Sequence, residues 1–312
     1  MTKVFIDGSA GTTGLRIAER LAERRDIALI TLPEAQRKDP KRRREALNMA
    51  DIAFLCLPDG AAIEAAAWVE NPATAVIDTS TAHRVSPGWA YGFPELNGQR
   101  ARICASKRIA NPGCHASGFI ALVAPLVDAG LLERDALLTC TSLTGYSGGG
   151  KKMIAEYRAD DAPPAFASPR QYGLTQSHKH LPEMQKICML DASPVFMPIV
   201  DDYYSGMEVT VPVFVEQLKG TADDVRAVYR SVYTGPVVRY VESPDESGFL
   251  AANALSGYDD MEVSVLGNEA RILLTARFDN LGKGASGAAI QNMNLLMGID
   301  ETTGLKIKED LA

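Results

Sequence analysis

The sequence predicts an α/β protein of two domains: a doubly wound parallel sheet with helices on both faces, and an α+β domain with a mostly antiparallel sheet. The first third of the chain alternates short apolar runs with helical patterns, which is typical of parallel strands joined by helices. After residue 137, strand-like runs follow one another with few helical patterns between them, which favours an antiparallel sheet. The length of 312 residues is sufficient for two domains. We place the first domain at residues 1–115, completed by a C-terminal helix over 284–312, and the second at residues 116–283.

Composition and charge exclude several classes of protein. The chain is 46% hydrophobic and 23% charged, and its net charge of -7 argues against a nucleic-acid binder. No apolar run is long enough to span a bilayer, and the first residues lack the layout of a signal peptide, so we expect no membrane partner. The five cysteines are scattered, odd in number and without zinc-type spacing, which predicts no metal site and a reducing, cytoplasmic compartment.

The N-terminal strand, residues 3–7, runs directly into a glycine-rich turn. Its glycines fall as G-x-x-G-x-x-G, and a helical pattern and a second strand at residues 27–31 follow. In Rossmann-like domains this order of elements holds a pyrophosphate on the helix N-terminus. The predicted cofactor contacts are Gly8, Ser9, Ala10, Gly11, Thr12, Thr13 and Gly14. The alternative is a glycine-rich turn that binds no nucleotide.

The residues after the second strand bear on which dinucleotide binds. Glu34 is the kind of acid that contacts the ribose hydroxyl of NAD, so NAD stays open. A basic run follows it: Arg37, Lys38, Lys41, Arg42, Arg43 and Arg44. Because arginine suits the additional phosphate of NADP, we predict NADP with Arg37 as a contact; the alternative is a solvated helix face. Pro58 and Ser80 follow the next two strands, where ligands of this fold lie, and are further predicted cofactor contacts.

The segment Asn-Pro-Gly-Cys at residues 111–114 is the strongest candidate for chemistry. Pro112 and Gly113 make a tight turn between a short strand and a long helical pattern, so Cys114 stands at the start of a helix. The positive end of the helix dipole favours the thiolate, which is a usable nucleophile. The alternative is a small buried cysteine that only packs.

Two of the four histidines, His178 and His180, lie in a turn that enters a further helix. A histidine is a natural acid/base partner for a thiol, and we predict His180 for this role with His178 second. A metal site at these two histidines is a weaker hypothesis, because no cysteine or third histidine lies nearby in the sequence. We expect His115 to point away from the thiol, and His83 to have a solvent or loop role.

Other polar residues complete the predicted site. The substrate-side candidates are Asn111, Glu95, Ser147 and Lys151. Near the C-terminus, small residues open an apolar helix and permit close approach of a ligand; there Lys283, Gly284 and Ala285 are predicted cofactor contacts.

Taken together, these motifs resemble the N-acetyl-gamma-glutamyl-phosphate reductases, and the chain length resembles their shorter form. The matching segments are residues 8–14, 111–114, 147–150, 178–183, and 280 through 292–294. One departure is His115-Ala116, where the family pattern leads us to expect Tyr-Pro.

The resemblance implies an NADPH-dependent enzyme of arginine biosynthesis. In the implied mechanism the Cys114 thiolate attacks the acyl phosphate of N-acetyl-glutamyl 5-phosphate, phosphate leaves, and hydride reduces the thioester to the 5-semialdehyde. The partners are then a small acyl phosphate and phosphate, together with further copies of the chain in a homodimer or homotetramer, since an open sheet needs cover. Two alternatives remain: an aspartate-semialdehyde dehydrogenase or related amino-acyl-phosphate reductase, and a non-catalytic NADP-sensing redox regulator.

Overall fold

A computed structural model of the chain describes residues 1–244 and 246–308. The strands, in chain order, are β1 (Thr2–Asp7), β2 (Ile27–Ile30), β3 (Ile52–Leu55), β4 (Ala75–Asp78), β5 (Ala90–Tyr91), β6 (Arg108–Ala110), β7 (Thr139–Gly145), β8 (Arg170–Gln171), β9 (Val195–Asp201), β10 (Met207–Phe214), β11 (Val238–Tyr240), β12 (Met261–Gly267) and β13 (Arg271–Phe278). The helices are α1 (Thr12–Ala22), α2 (Pro40–Met49), α3 (Asp59–Ala67), α4 (Gln99–Ala105), α5 (Cys114–Asp128), α6 (Gly150–Tyr157), α7 (Leu181–Ile187), α8 (Ala222–Val232) and α9 (Gly287–Met297).

The chain divides into two compact units. The first comprises Met1–Pro94, Gly98–Pro112 and Ala285–Leu305. The second comprises Glu95–Asn97, Gly113–Gly284 and the described residues from Lys306 onward. Both units are therefore assembled from segments that lie far apart in the sequence.

The first unit is a parallel sheet of order β2-β1-β3-β4-β6-β5. Successive strand residues point to opposite faces, so Phe5 packs with α2 and α3 on one face. Val4 and Ile6 pack with α1, α4 and α9 on the other face. Both faces of the sheet are thus covered, and the predicted doubly wound architecture is confirmed.

The C-terminal helix is shorter than the predicted span of 284–312. Helix α9 ends at Met297 because Gly298 takes the left-handed conformation, φ 68°, as its C-terminal cap. The chain continues without helix to residue 308, and residues 309–312 of the predicted span lie outside the described residues.

The second unit contains a seven-stranded sheet of order β11-β12-β13-β10-β7-β9-β8. Strands β11–β12 and β7–β9 pair in parallel, and the other neighbours are antiparallel. The predicted mostly antiparallel sheet is confirmed. Helices α5 and α8 pack against its strands.

Helix α5 is the buried centre of the second unit, with every residue from His115 to Val127 buried. Gly118 permits this position, because a Cβ there would lie 2.4 Å from Cγ2 of Val209 on the sheet. Pro125 lies inside the helix and has no N–H to donate to the carbonyl of Ala121. The hydroxyl of Tyr233 donates to that carbonyl instead, at 2.5 Å, so the helix is held rigidly despite its proline.

Candidate active site

The glycine-rich turn of the first unit has the shape of a phosphate cradle. Gly8 has φ 87°, and a Cβ there would lie 2.2 Å from the carbonyl oxygen of Cys56. A Cβ on Gly14 would lie 2.5 Å from the carbonyl oxygen of Gly8. Gly11 caps helix α1 without a side-chain hydrogen bond, so the first N–H groups of the helix face the turn uncapped. The residues present therefore fit a dinucleotide pyrophosphate.

Some side chains of the basic run after β2 form ion pairs within the first unit. Arg43 forms a two-pronged ion pair with the buried Asp7, with nitrogen–oxygen distances near 3.0 Å, and its guanidinium lies over the ring of Trp68. Arg42 pairs with Glu45 on the surface. Arg37, the first residue of the run, is exposed. The Asp7–Arg43 pair was not predicted, although an acid placed directly before the glycine turn is a signal for it.

Pro58 and Ser80 lie where they were predicted in the fold, after β3 and β4. Pro58 caps helix α3. The hydroxyl of Ser80 donates to Oδ2 of Asp78 at 2.7 Å, and His83 contacts the same oxygen through Nδ1 at 2.6 Å. His83 lies in the turn between β4 and β5, as predicted for a loop residue, but a solvent role is wrong because its ring is buried and stacks on Trp89, with centroids 3.9 Å apart.

Asn111 has a structural position within the first unit. Its amide nitrogen donates to the carbonyl oxygen of Ala285 at 3.0 Å, and its backbone N–H donates to Asp78 at 2.7 Å. Asn111 thus ties the strand end before the Pro-Gly turn to the segment that precedes α9.

In the second unit, Cys114 is the first residue of α5, as predicted, and is half-buried. The N–H of the preceding Gly113 donates to Oε1 of the buried Glu183 at 2.8 Å, which fixes the peptide before the thiol. Gly284 allows close packing against the thiol residue, because a Cβ there would lie 3.0 Å from the Cβ of Cys114. Glu183 was not among the predicted site residues, although it belongs to the motif at residues 178–183.

The other thiols are poorer nucleophiles where the structure buries them. Burial raises the pKa of Cys56 to about 12, and it raises the pKa of Cys140 and of Cys188 well above the ordinary value. Cys104 is exposed on α4 in the first unit. Cys114 and Cys56 are both half-buried, but only Cys114 of the two stands at the start of a helix next to a peptide held by Glu183.

His178 and His180 form one cluster with His115. The ring centroids lie 4.8 Å apart for His178 and His180, and 5.7–5.8 Å from His115 to each of them. The backbone N–H of His180 donates to Nδ1 of His178 at 3.2 Å, so that nitrogen is an acceptor. His115, which the sequence predicts to point away from the thiol, has a buried ring that packs among the other two histidines.

His115 is also the centre of a hydrogen-bonded chain. Its Nδ1 lies 2.7 Å from Oγ of Ser142 on β7, and its Nε2 lies 2.6 Å from the hydroxyl of Tyr172. Burial lowers the pKa of His115 to about 3, with further contributions from the charges of His178 and Lys179. His115 is therefore neutral at physiological pH. Tyr172 and Ser142 were missed at the sequence level, since nothing in their spacing connects them to residue 115.

The remaining predicted residues take different positions. Lys283 and Glu95 form a buried ion pair within the second unit, with Nζ 2.8 Å from both carboxylate oxygens. Ser147 is buried and accepts a hydrogen bond from Nδ2 of Asn280 at 2.9 Å. Lys151 is exposed on α6. Lys283 and Glu95 therefore contact each other, whereas the sequence assigned one to the cofactor and the other to the substrate.

No helix within residues 1–244 and 246–308 combines the length and the apolar character needed to cross a membrane. In the same residues, no group of three or more His, Cys, Asp or Glu side chains has a metal-binding arrangement.

Comparison with known proteins agrees with this architecture. The family described as semialdehyde dehydrogenase, NAD binding domain, matches residues 3–104. The semialdehyde dehydrogenase dimerisation domain matches residues 114–280. Aspartate semialdehyde dehydrogenase II of Vibrio cholerae has a similar structure, with a TM-score of 0.72 at 19% identity over 96% of this chain and 99% of that one. Aspartate semialdehyde dehydrogenase with NADP from Candida albicans has a TM-score of 0.66 at 15% identity, over 95% and 98% of the two chains.

Two relatives with higher sequence identity to this chain show which family within the semialdehyde dehydrogenase fold it belongs to. N-acetyl-gamma-glutamyl-phosphate reductase 2 of Pseudomonas putida is 48% identical over 311 residues, covering 96% of this chain and 98% of that protein. N-acetyl-gamma-glutamyl-phosphate reductase of Brucella anthropi is 49% identical over 306 residues, covering 95% and 98%. The chain therefore belongs to the N-acetyl-gamma-glutamyl-phosphate reductases, a family of oxidoreductases built on the semialdehyde dehydrogenase fold.

Proposed function

We propose that this protein catalyses the NADPH-dependent reductive dephosphorylation of N-acetyl-L-glutamyl 5-phosphate to N-acetyl-L-glutamate 5-semialdehyde, in arginine biosynthesis. The observation that carries the proposal is the half-exposed Cys114 at the N-terminus of a buried helix, next in sequence to a residue of the three-histidine cluster. The names of relatives 48–49% identical over nearly the whole chain support the substrate.

The first step is acyl transfer to the thiol. The Cys114 thiolate forms a bond to the acyl carbon, and the bond from that carbon to the phosphate oxygen breaks, so inorganic phosphate leaves with the electron pair. The first N–H groups of a helix have no acceptor within the helix, and those of His115 and Ala116 are candidates to bind the oxyanion. The N–H of Gly113 is already donated to Glu183, which holds this helix start in place.

The second step is reduction of the thioester. When the nicotinamide cofactor is bound, it would supply a hydride to the thioester carbon. His180 gives a proton to the resulting oxygen to form a thiohemiacetal on Cys114, and takes it back as the aldehyde forms and the thiolate leaves. His178, whose Nδ1 accepts from the N–H of His180, is the second candidate for this role.

One feature supports a dinucleotide cofactor and another supports NADP over NAD. The glycine turn fits a dinucleotide pyrophosphate, because a Cβ at Gly8 or Gly14 would clash with the backbone. The exposed Arg37 after β2 provides a cation for the additional phosphate of NADP. Glu34 is the competing feature, because an acid there would favour NAD.

We further propose that copies of the chain associate through the open face of the second-unit sheet. Val195, Phe214 and Leu273 are large apolar side chains exposed on β9, β10 and β13. The match of residues 114–280 to a dimerisation domain supports a second copy as the occupant of this face. Free cysteines throughout the described chain fit a reducing, cytoplasmic setting.

Two other functions make different predictions. An aspartate-semialdehyde dehydrogenase would oxidise aspartate semialdehyde in preference to the N-acetylated substrate, and the structural likeness to such enzymes is a likeness of fold. A redox regulator would bind NADP without turnover. Phosphate-dependent reduction of NADP with each purified semialdehyde separates the three.

The test of the proposal compares Cys114→Ser with Cys104→Ser. The serine hydroxyl is essentially un-ionised at neutral pH, so Cys114→Ser should abolish turnover of N-acetyl-glutamate semialdehyde with phosphate and NADP while NADP binding survives. Cys104→Ser changes an exposed thiol of the first unit and should retain activity. Iodoacetamide should label Cys114, and the acyl phosphate should protect it. Labelling of Cys56 or Cys188 with Cys114 untouched contradicts the thioester mechanism.

A further inference from the structure

The carboxyl end of β1 places a buried acid directly before the glycine turn. Asp7 is the last residue of β1, its side chain is buried, and Gly8 follows it. Because neighbouring Cα atoms are about 3.8 Å apart, the Asp7 carboxylate lies at most about 7–8 Å from the Cα of Gly8. The same turn is the part of the first unit that fits a pyrophosphate, which is itself negatively charged. A lone carboxylate in this position would repel the group that the turn is shaped to hold.

Arg43 on α2 supplies the opposite charge. Its Nε lies 3.0 and 3.2 Å from the two carboxylate oxygens of Asp7, and its Nη2 lies 3.0 Å from Oδ2. The guanidinium also lies over Trp68, with Cζ 4.9 Å from the ring centroid. The side chains of Arg43 and Asp7 are 13% and 4% exposed, so solvent screens the pair weakly. A two-pronged contact of this kind fixes the orientation of the guanidinium.

The pair follows from the way β1 and α2 pack. Side chains alternate along a strand, so Asp7 shares the face of Phe5, against which α2 packs. Asp39 caps α2 by accepting from the N–H of Lys41, and Arg43 follows one turn later on the same helix. Arg43 therefore reaches the end of β1 from a helix that is packed on the sheet.

Two other acids at this end of the sheet have different surroundings. Asp78, at the end of β4, accepts from the hydroxyl and the N–H of Ser80 and contacts His83. Asp59, the first residue of α3, is exposed to solvent. Asp7 differs from both because it is buried next to the turn and is offset by a guanidinium from another element.

Stability alone does not account for such a pair. A buried ion pair is often no more stabilising than apolar side chains of similar volume, because both charges lose their hydration. What the pair does determine is the charge beside the glycine turn. With both residues present the pair is neutral, whereas loss of Arg43 leaves a negative charge there and loss of the carboxylate leaves a positive one.

We propose that Asp7 and Arg43 together set the affinity of the glycine turn for the dinucleotide. Arg43 offsets the carboxylate so that the pyrophosphate binds, and Asp7 limits the attraction of the arginine so that the cofactor exchanges. Exchange is required because each turnover of the proposed reaction consumes one NADPH and releases one NADP. This inference rests on the proposed binding of a nicotinamide dinucleotide to the first unit. Both residues act on binding through their charge, and neither is assigned a part in the chemistry at Cys114.

The experiment measures the dissociation constants of NADP and NAD for the full chain by isothermal titration calorimetry. A unit charge about 9 Å from a doubly charged pyrophosphate changes its affinity by about tenfold, at an effective dielectric constant of about 20 and physiological salt. Arg43→Met should therefore weaken both cofactors by about tenfold, and Asp7→Asn should tighten both by a similar factor. The double variant Asp7→Asn/Arg43→Met should return close to the wild-type values. An equal effect on NADP and NAD distinguishes this pair from Arg37, which is expected to act more on NADP.

Stability and salt dependence separate this role from a structural one. Each single variant breaks the buried pair and should lower the free energy of unfolding, measured with urea. If the pair only supported the fold, both single variants would weaken binding, whereas a charge effect gives changes of opposite sign. The changes in dissociation constant should also shrink in 1 M salt, where the Debye length is about 3 Å. Asp7→Asn keeps the shape of the side chain, so its tighter binding decides the question even if Arg43→Met does not fold.

Arg24→Met is the matched control. Its guanidinium is also buried and pairs with Asp26, but these residues precede β2, at the amino end of the sheet. The variant should lower stability and leave both dissociation constants unchanged. The inference is overturned if Asp7→Asn weakens binding or leaves it unchanged, or if the changes persist in 1 M salt. If the wild type binds neither NADP nor NAD, the proposed cofactor itself is wrong.

Discussion

Replacing Lys283 by methionine tests the buried ion pair next to Gly284. The side chains of Lys283 and Glu95 are only 1% and 7% exposed, and both carboxylate oxygens lie 2.8 Å from Nζ. Lys283→Met keeps most of the side-chain volume and leaves the Glu95 carboxylate buried without this cation. Breaking a buried pair in this way costs about 3–5 kcal/mol of unfolding free energy.

The double variant Glu95→Leu/Lys283→Met distinguishes the cost of an unpaired buried charge from the cost of altered side-chain packing. Replacement of both charges by apolar side chains is often close to neutral, so most of the loss should be recovered. Lys219→Met is the exposed control: its pair with Glu133 is more than half exposed on each side and should contribute at most about 1 kcal/mol.

Urea unfolding followed by circular dichroism measures all three variants. A Lys283→Met loss no greater than that of Lys219→Met refutes the reasoning. A raised Michaelis constant for NADP with stability unchanged would instead support the sequence-based assignment of Lys283 as a cofactor contact.

Three further predictions concern the proposed function. His180→Ala should lower kcat by about 10²–10⁴-fold and His178→Ala by less, since only one histidine carries the proton; the reverse order in steady-state kinetics exchanges their roles. The double variant Arg37→Ala/Arg42→Ala should raise the Michaelis constant for NADP more than for NAD, and equal effects would mean that these side chains are only a solvated surface. Light scattering should show a dimer or tetramer at micromolar concentration. Leu273→Arg on the open sheet face should weaken this association, and a stable wild-type monomer contradicts the proposed interface.

Much of the site followed from local pattern. Pro112 and Gly113 favour a tight turn after a strand, and the helical spacing of the apolar residues that follow favours a helix, so the position of Cys114 could be predicted from the chain alone. The glycine turn could be predicted from its position between a strand and a helix, although the clash that excludes a Cβ on Gly8 comes from Cys56, a residue distant in the sequence. The positions of Cys114 and of the glycine turn thus follow from patterns within a few residues.

The partners of buried polar side chains were not readable in this way. Lys283 and Glu95 are 188 positions apart in the sequence, and Asp7 and Arg43 are 36 apart. The residues around a charged side chain in the sequence do not indicate which distant residue it pairs with. His115 shows the difference most clearly. Its place after Cys114 predicted only that the ring points away from the thiol, and the packing of α5 decides that the ring meets Ser142 and Tyr172.

The sequence by itself therefore determined the two kinds of sheet, the phosphate turn and the residue at the helix start, because each depends on local propensity and on the period of apolar residues. Only the tertiary structure decided which polar groups meet: Lys283 with Glu95, and His115 with Ser142 and Tyr172. The physical reason is that a buried donor must find an acceptor from whatever element packs against it, and that choice is made by the pairing register of β7 and the burial of α5.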